Sequence, residues 1–412
     1  MTAFTPSRRR RLAGIAVLAG IFLAGCAKDA PQDTFKPKGP NSRTIDDLQR
    51  PLFYVAGLVG VIVFGVIAYT LVRYKDRGQE MPEQTHGKTW LEVTLTVVSA
   101  LILVGIGVPT VSAVFKLADN SSECVVNVTG QQWWWEYVYT GTCGGVEINE
   151  PIVTASELVI PIDTPVLLRI TSRDVIHSYW IPALNGKRDA VPGRLQTLRL
   201  EADEPGIYVG QCTEFCGLSH ARMRQAAVAL TTADFQTWVD NQLEAYADNA
   251  PEAGSLAAEG ESTFINQCSR CHQINDLLAS DGTPVLAEPD LYVVSGVAPN
   301  LTNLVTRTAI AGWTFDLLTD QCREQLWNAP PDEFGSLYLQ GVWMNSGPDA
   351  AKPVCFDEAN LRDWLRNAPA MKPMFTDPNN LSSTGGRTRG MPNLHLTEDQ
   401  IDQLIAFLLE RN

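Results

Sequence analysis

Two stretches of the chain run without a charge for longer than a soluble core helix requires: residues 51–72, 22 in number, and residues 93–115, 23 in number. Each can cross a hydrocarbon layer of about 30 Å as a helix. The chain must therefore fold around a membrane hairpin, assigned to residues 51–116. Arg73, Lys75, Arg77 and Lys88 lie between the two runs. That excess of cations puts the connecting loop on the cytoplasmic side and everything after residue 116 outside. Glu92 stands at the cytoplasmic start of the second span. A carboxylate there either reaches the interface or serves a proton or ion path.

The first 25 residues read as a secretory signal, with four arginines at 8–11 followed by an apolar stretch. Leu23-Ala24-Gly25-Cys26 is similar to a bacterial lipoprotein processing site, which makes Cys26 the expected lipidated residue of an outer segment 26–50. A chain of 412 residues is too long for one core, so further domains follow the hairpin. The net charge of −14 argues against nucleic acid as a partner. Nine cysteines would be odd in a reduced cytosolic enzyme and suit an exported chain.

Residues 212–223 read Cys-Thr-Glu-Phe-Cys-Gly-Leu-Ser-His-Ala-Arg-Met. Two thiols, an imidazole and a thioether on one loop are soft donors that select copper over magnesium, calcium or manganese. His177 lies 35 residues upstream, at the spacing of a neighbouring strand or loop. One copper ion needs one Cys, and structural zinc has no use for Met; two sulfurs bridging two copper ions fit the donor count best. A Cys212–Cys216 disulfide is the competing arrangement. Residues 117–240 are rich in Val, Ile, Thr and aromatics, and strands are expected over 126–139, 157–162, 166–171 and 195–201. An all-β sandwich or barrel follows. In Gln131-Gln132-Trp133-Trp134-Trp135, three adjacent indoles on one strand place at least one on the outer face.

With Gln211 in front, this loop resembles the binuclear copper (CuA) loop of subunit II of haem–copper cytochrome c oxidases, and the likeness extends over roughly residues 50–240. The resemblance implies a cupredoxin fold, with Cys212 and Cys216 as bridging thiolates, His177 and His220 as imidazole ligands, Met223 as thioether and the Glu214 carbonyl completing the set. It also implies that Trp133 lies over the copper and passes electrons inward, and that residues 187–194 face the catalytic subunit. The Glu214 carboxylate would help to hold magnesium at that interface. Leu-Glu-Val-Thr-Leu-Thr around Glu92 resembles the position that feeds protons to the catalytic subunit. Cys124 and Cys143 flank the Trp-rich strand outside the ligand set and are expected to pair as a structural disulfide.

An Ala-, Glu- and Gly-rich linker, 241–260, leads to Cys268-Ser269-Arg270-Cys271-His272. This is the attachment pattern of covalent haem c, with His272 as proximal ligand. A redox-active Cys pair is the other use of such spacing, but no thioredoxin-like βαβ pattern surrounds it. Residues 261–412 are expected to form an all-α cytochrome c domain, since Gly390-Met391-Pro392-Asn393-Leu394 and the helical 397–410 resemble that family's distal segment and closing helix. Met391 is the expected distal ligand and Met374 the runner-up; Met344 and Met371 also lie downstream. The excess over 311–353 reads as an insertion, with Cys322 and Cys355 as its expected staple.

The fold expected is thus multidomain: a transmembrane α-helical hairpin, an all-β cupredoxin-like barrel and an all-α cytochrome c domain on the outer face of a bacterial plasma membrane. The implied role is to pass electrons from a donor, either cytochrome c or a membrane-bound cytochrome complex, through haem c and CuA to catalytic subunit I of a proton-translocating terminal oxidase. Subunit I reduces oxygen to water; two spans without a His cluster cannot enclose that reaction. Other oxidase subunits and membrane lipid are the remaining partners. The alternatives are a CuA-containing nitric oxide reductase subunit and a copper-carrying assembly protein. A quinol-oxidase subunit is disfavoured, because such relatives lack the copper ligands that this loop contains.

Overall fold

The computed structural model describes residues 31–78, 86–243, 251–275, 298–343, 355–375 and 389–410; Cys26 and Met344 lie outside them. Helices α1 (Pro40–Arg73) and α2 (Thr89–Leu117) form the hairpin, and their apolar side chains point outward, as a lipid phase requires. Helix α1 begins well before its uncharged run, and that early turn has a use. Lys38 N donates to the Ala183 carbonyl (2.8 Å), Ser42 N to that of Leu184 (3.2 Å), and the Asn41 amide to that of Arg199 (2.9 Å). The head of the first span is thereby seated on the β domain.

That domain contains ten strands: β1 (Cys124–Gln131), β2 (Trp134–Cys143), β3 (Val146–Ala155), β4 (Glu157–Pro161), β5 (Val166–Ser172), β6 (His177–Tyr179), β7 (Arg188–Ala190), β8 (Gln196–Leu200), β9 (Gly206–Gln211) and β10 (Arg224–Leu230). One sheet runs β3-β2-β1-β5-β8 and a second β4-β10-β9, while β6 and β7 pair separately. Strand β5 alternates buried with less buried residues, the period-two signature of a sheet with one face on a core. Helix α3 (Thr232–Leu243) closes the domain with Phe235, Trp238 and Val239 buried.

The single strand expected over 126–139 is instead two antiparallel strands that reverse at Gln132 and Trp133, with Gln131 opposite Trp134. The reversal is held by Asp174, whose carboxylate accepts from Gln132 N at 2.8 Å. The expectation that one of the three tryptophans faces outward fails with it. Trp133, Trp134 and Trp135 are 2%, 6% and 0% exposed. Trp133 lies in the turn, while Trp134 and Trp135 point to opposite faces of β2, both of which are covered at this end of the strand.

Further along are α4 (Leu256–Gln267), α5 (Asp320–Trp327), α6 (Pro331–Trp343), α7 (Ala359–Met371) and α8 (Glu398–Glu410). Ser255 caps α4 by accepting from Ala258 N. Helices α4 and α8 cross at Gly260, where the Gln403 carbonyl leaves no room for a Cβ, and Phe264 meets Phe407 at 5.6 Å. Around that crossing Phe264, Cys268, Leu304, Leu361, Leu365 and Leu404 form a second core. The segment read as an insertion is divided: Ala311, Phe315 and Leu317 pack in this second core, whereas Leu318, Leu326, Phe334 and Tyr338 belong to the core of the β domain. The unit expected over 261–412 therefore feeds both cores. The structure joins Cys124 to Cys143 and Cys322 to Cys355 as disulfides.

Candidate metal centre and attachment site

The loop at 212–223 leaves β9 and returns as β10, and its ends are held together by the Gln211–Arg224 pairing and by Cys212 N donating to the Met223 carbonyl at 2.9 Å. This closure brings donors that are far apart on an extended chain to one point. Cys212 Sγ lies 3.8 Å from Cys216 Sγ, 3.9 Å from His177 Nδ1 and 3.3 Å from the Glu214 carbonyl. Cys216 Sγ is 3.5 Å from His220 Nδ1 and 3.8 Å from Met223 Sδ. His177, Cys212, Cys216 and Met223 are buried. Two glycines make the approach possible. Gly217 sits in the left-handed region at φ +112°, and a Cβ on Gly130 would lie 2.9 Å from the His177 ring.

The donor set fits a pair of soft cations. Sulfurs 3.8 Å apart do not form a disulfide, and both cysteines are free. The hydrogen bond with Cys216 lowers the pKa of the Cys212 thiol, against the cost of burial. The same contact and burial push Cys216 well above the ordinary thiol range. Both can be thiolates together only with positive charge between them, which metal supplies. His177 is set for ligation by its far side: Nε2 faces Asp174 Oδ1 at 2.8 Å, leaving Nδ1 towards the sulfurs. Burial disfavours its charged form, but Asp174 and Cys212 outweigh burial and raise its pKa.

Sequence reasoning missed Asp174 and Gln132. Asp174 stands three residues before His177 and could have been noticed as its orienting carboxylate; the Gln132 amide donates to the Cys216 carbonyl at 2.7 Å, which no spacing foretells. Trp133 Nε1 donates to the same carbonyl at 3.1 Å. Strand β7, within the segment 187–194, pairs with the His177 strand, and Lys187, Arg188 and Asp189 are exposed beside it. The Glu214 residue is exposed at the rim with Phe215 and Leu218. Glu92 lies in the first turn of α2.

At the second site Cys268 is buried and Cys271 exposed, just beyond the end of α4. His272 Nδ1 lies 2.8 Å from the Pro299 carbonyl, which fixes a proton there and leaves Nε2 as the free lone pair. Burial lowers its pKa, opposed by that carbonyl, so the neutral ligand form is favoured. Met391 packs against the helical core, while Met374 packs against the β domain and its Sδ accepts from Met391 N at 3.3 Å.

A membrane hairpin carrying a β domain with a buried thiol–imidazole–thioether loop defines a class of membrane-bound redox metalloproteins. Residues 34–113 match the transmembrane domain, and residues 124–230 the periplasmic domain, of cytochrome c oxidase subunit II. The cytochrome c oxidase subunit 2 of Alkalihalophilus pseudofirmus is 34% identical over 362 residues, spanning 85% of this chain and 95% of its own. That of Bacillus sp. PS3 is 29% identical over 421 residues, spanning 97% and 96%. The solved periplasmic domain of subunit II of Bradyrhizobium japonicum cytochrome oxidase shares 30% identity over 30% of this chain and 94% of that one, with a TM-score of 0.26. The chain belongs to the cytochrome c oxidase subunit II family. It is a two-pass membrane protein with a periplasmic domain, and the subunit of a haem–copper oxidoreductase that takes in electrons. The family's periplasmic domain implies CuA copper, and membership implies other oxidase subunits and a redox donor as partners.

Proposed function

We propose that electrons reach this subunit through a covalent haem c in its C-terminal region, pass to a binuclear copper centre in the β domain, and leave for the catalytic subunit that reduces oxygen. The observation that carries this reading is the convergence of Cys212, Cys216, His177, His220, Met223 and the Glu214 carbonyl on one buried point. Cys212, Cys216, His177, His220, Met223 and the Glu214 carbonyl would hold the two ions. A bound copper pair supplies one delocalised site for a single electron. The chain's own residues keep that site still: Asp174 fixes the His177 ring, and Gln132 and Trp133 hold the Cys216 backbone. A ligand shell that scarcely moves keeps the cost of gaining and losing an electron low.

Cys268 and Cys271 would carry the haem, and His272 Nε2 and Met391 would hold its iron. The packing of Met391 against the helical core supports it over Met374, whose sulfur lies against the β domain. Met/His ligation raises the iron potential, as suits a carrier feeding an oxidase. Residues 187–194, with the exposed Phe215 and Leu218, form the face offered to subunit I. The Glu214 carboxylate helps to bind magnesium there, and Glu92 feeds protons. Cys26 carries the lipid anchor, and the two disulfides serve stability. Purified protein should show reduced c-type haem bands together with the near-infrared absorption of mixed-valence copper. One copper per chain, or none, under full metal supply refutes the copper assignment.

A further inference from the structure

Trp133, the residue through which the copper loop is expected to receive electrons, is closed off from solvent by this chain itself. Its indole is 2% exposed, and the ring of Phe375 lies on it at 5.4 Å. Phe375 belongs to the segment 371–375, which runs on from the last residue of α7 and is fastened to the copper loop. Arg222 donates to the Met371 carbonyl and Ser219 to that of Pro373. The buried Lys372 ammonium donates to the carbonyls of Trp133 (2.9 Å) and Ala311 (2.7 Å). The segment also touches the other redox region: Met374 Sδ accepts from Met391 N, and Phe375 pairs with Arg389 next to Gly390. A continuous line of contacts thus runs Met391–Met374–Phe375–Trp133–Cys216.

We propose that residues 371–375 are a built-in donor contact: Phe375 conducts electrons from the haem-bearing region to Trp133, and the same segment shuts the Trp133 face against any separate donor protein. An external donor must then address the haem-bearing region, because the copper's own aromatic face is taken. The step moves one electron; the haem iron is oxidised by one, the copper pair is reduced by one, no bond forms or breaks and no proton moves. This rests on the reading given under Proposed function, so the test begins with the spectra of the intact oxidase.

With haem and copper bands both present, Phe375→Leu keeps an apolar cover but removes the ring. Haem-to-copper transfer after a light-driven single reduction should fall to about one tenth or less, with both spectra unchanged, and Phe375→Trp should restore it. Independently of turnover, the Lys372 and Arg389 amides, bonded to the carbonyls of Ala368 (3.0 Å) and Phe375 (2.8 Å), should resist hydrogen exchange in the full chain. A soluble reduced c-type cytochrome, used as probe, should reduce copper only after the haem. Wild-type transfer in Phe375→Leu, unprotected amides, or copper reduced ahead of haem would each overturn the contact. Missing haem or copper bands in the starting material would instead refute the underlying reading.

Discussion

The copper loop and the Cys268–His272 site are prepared for their groups in different ways. In the β domain the polypeptide alone fixes the donors, because a strand pair closes the loop, the Gln132 and Trp133 side chains hold its Cys216 carbonyl and Asp174 orients His177. In the helical region the attachment residues sit at the rim of a core built from a few helices, with Cys268 inside and Cys271 outside. A large prosthetic group there would be part of the core; the metal pair is a guest in a finished one. The difference teaches where each site is vulnerable.

Removing one ligand from each region exposes it most strongly. Cys216→Ala should eliminate the copper near-infrared band and reduce oxidase turnover to background, while haem bands and the folding of the β domain persist. Replacing Cys268 and Cys271 together should do the reverse: the copper band stays, and the helical region becomes readily cleaved in limited proteolysis. Full turnover in Cys216→Ala, or a protease-resistant helical region without attached haem, breaks the contrast.

A finer probe asks whether the copper loop is held from behind. In Asp174→Asn the side chain keeps its size but loses the charge that orients His177. Copper affinity, measured by chelator competition, should drop by about ten- to a hundredfold, with haem attachment unaltered. A change under twofold would mean that the strand pairing alone positions the imidazole.

What could be read from the sequence divides along the same line. Local spacing carries the ligand loop, the Cys-x-x-Cys-His segment and the two uncharged spans, since each is a contiguous run whose chemistry needs no partner to be recognised. The hairpin at Gln132–Trp133 was not legible, because three tryptophans in a row look like strand and the Asp174 carboxylate that turns the chain lies 42 residues away. Nor was the cover over Trp133, which comes from a segment more than two hundred residues downstream. The insertion was recognisable as excess length, but its destination was not. Leu318, Leu326, Phe334 and Tyr338 complete the core of the β domain through contacts that no periodicity encodes.

The insertion supplies the smallest expected effect and the one most specific to how the two regions are joined. Glu157, on β4, is 2% exposed, yet its carboxylate is well served. Thr308 N donates to it at 3.1 Å, Tyr338 OH at 2.6 Å and Trp313 Nε1 at 3.3 Å, with the Thr308 hydroxyl a further donor. Arg307 is buried beside this group; burial lowers its pKa to about 10, with Glu157 acting against that loss. Glu157→Gln turns one acceptor into a donor facing donors and removes the balancing charge. It should cost about 2–3 kcal/mol, read as a lower midpoint in chemical denaturation. Because the affected bonds all reach from β4 to residues 308–338, the spectral change that marks loss of the proposed Met391 ligand from the haem iron should come at lower denaturant than loss of the copper signal, where the wild type shows both together. Turnover of the folded enzyme should stay within about a factor of two, since Glu157 bonds to Thr308, Trp313 and Tyr338 and to none of the proposed copper or haem ligands. Coincident transitions at an unchanged midpoint would show that apolar packing of Leu318, Leu326 and Phe334 joins the regions without help from this network.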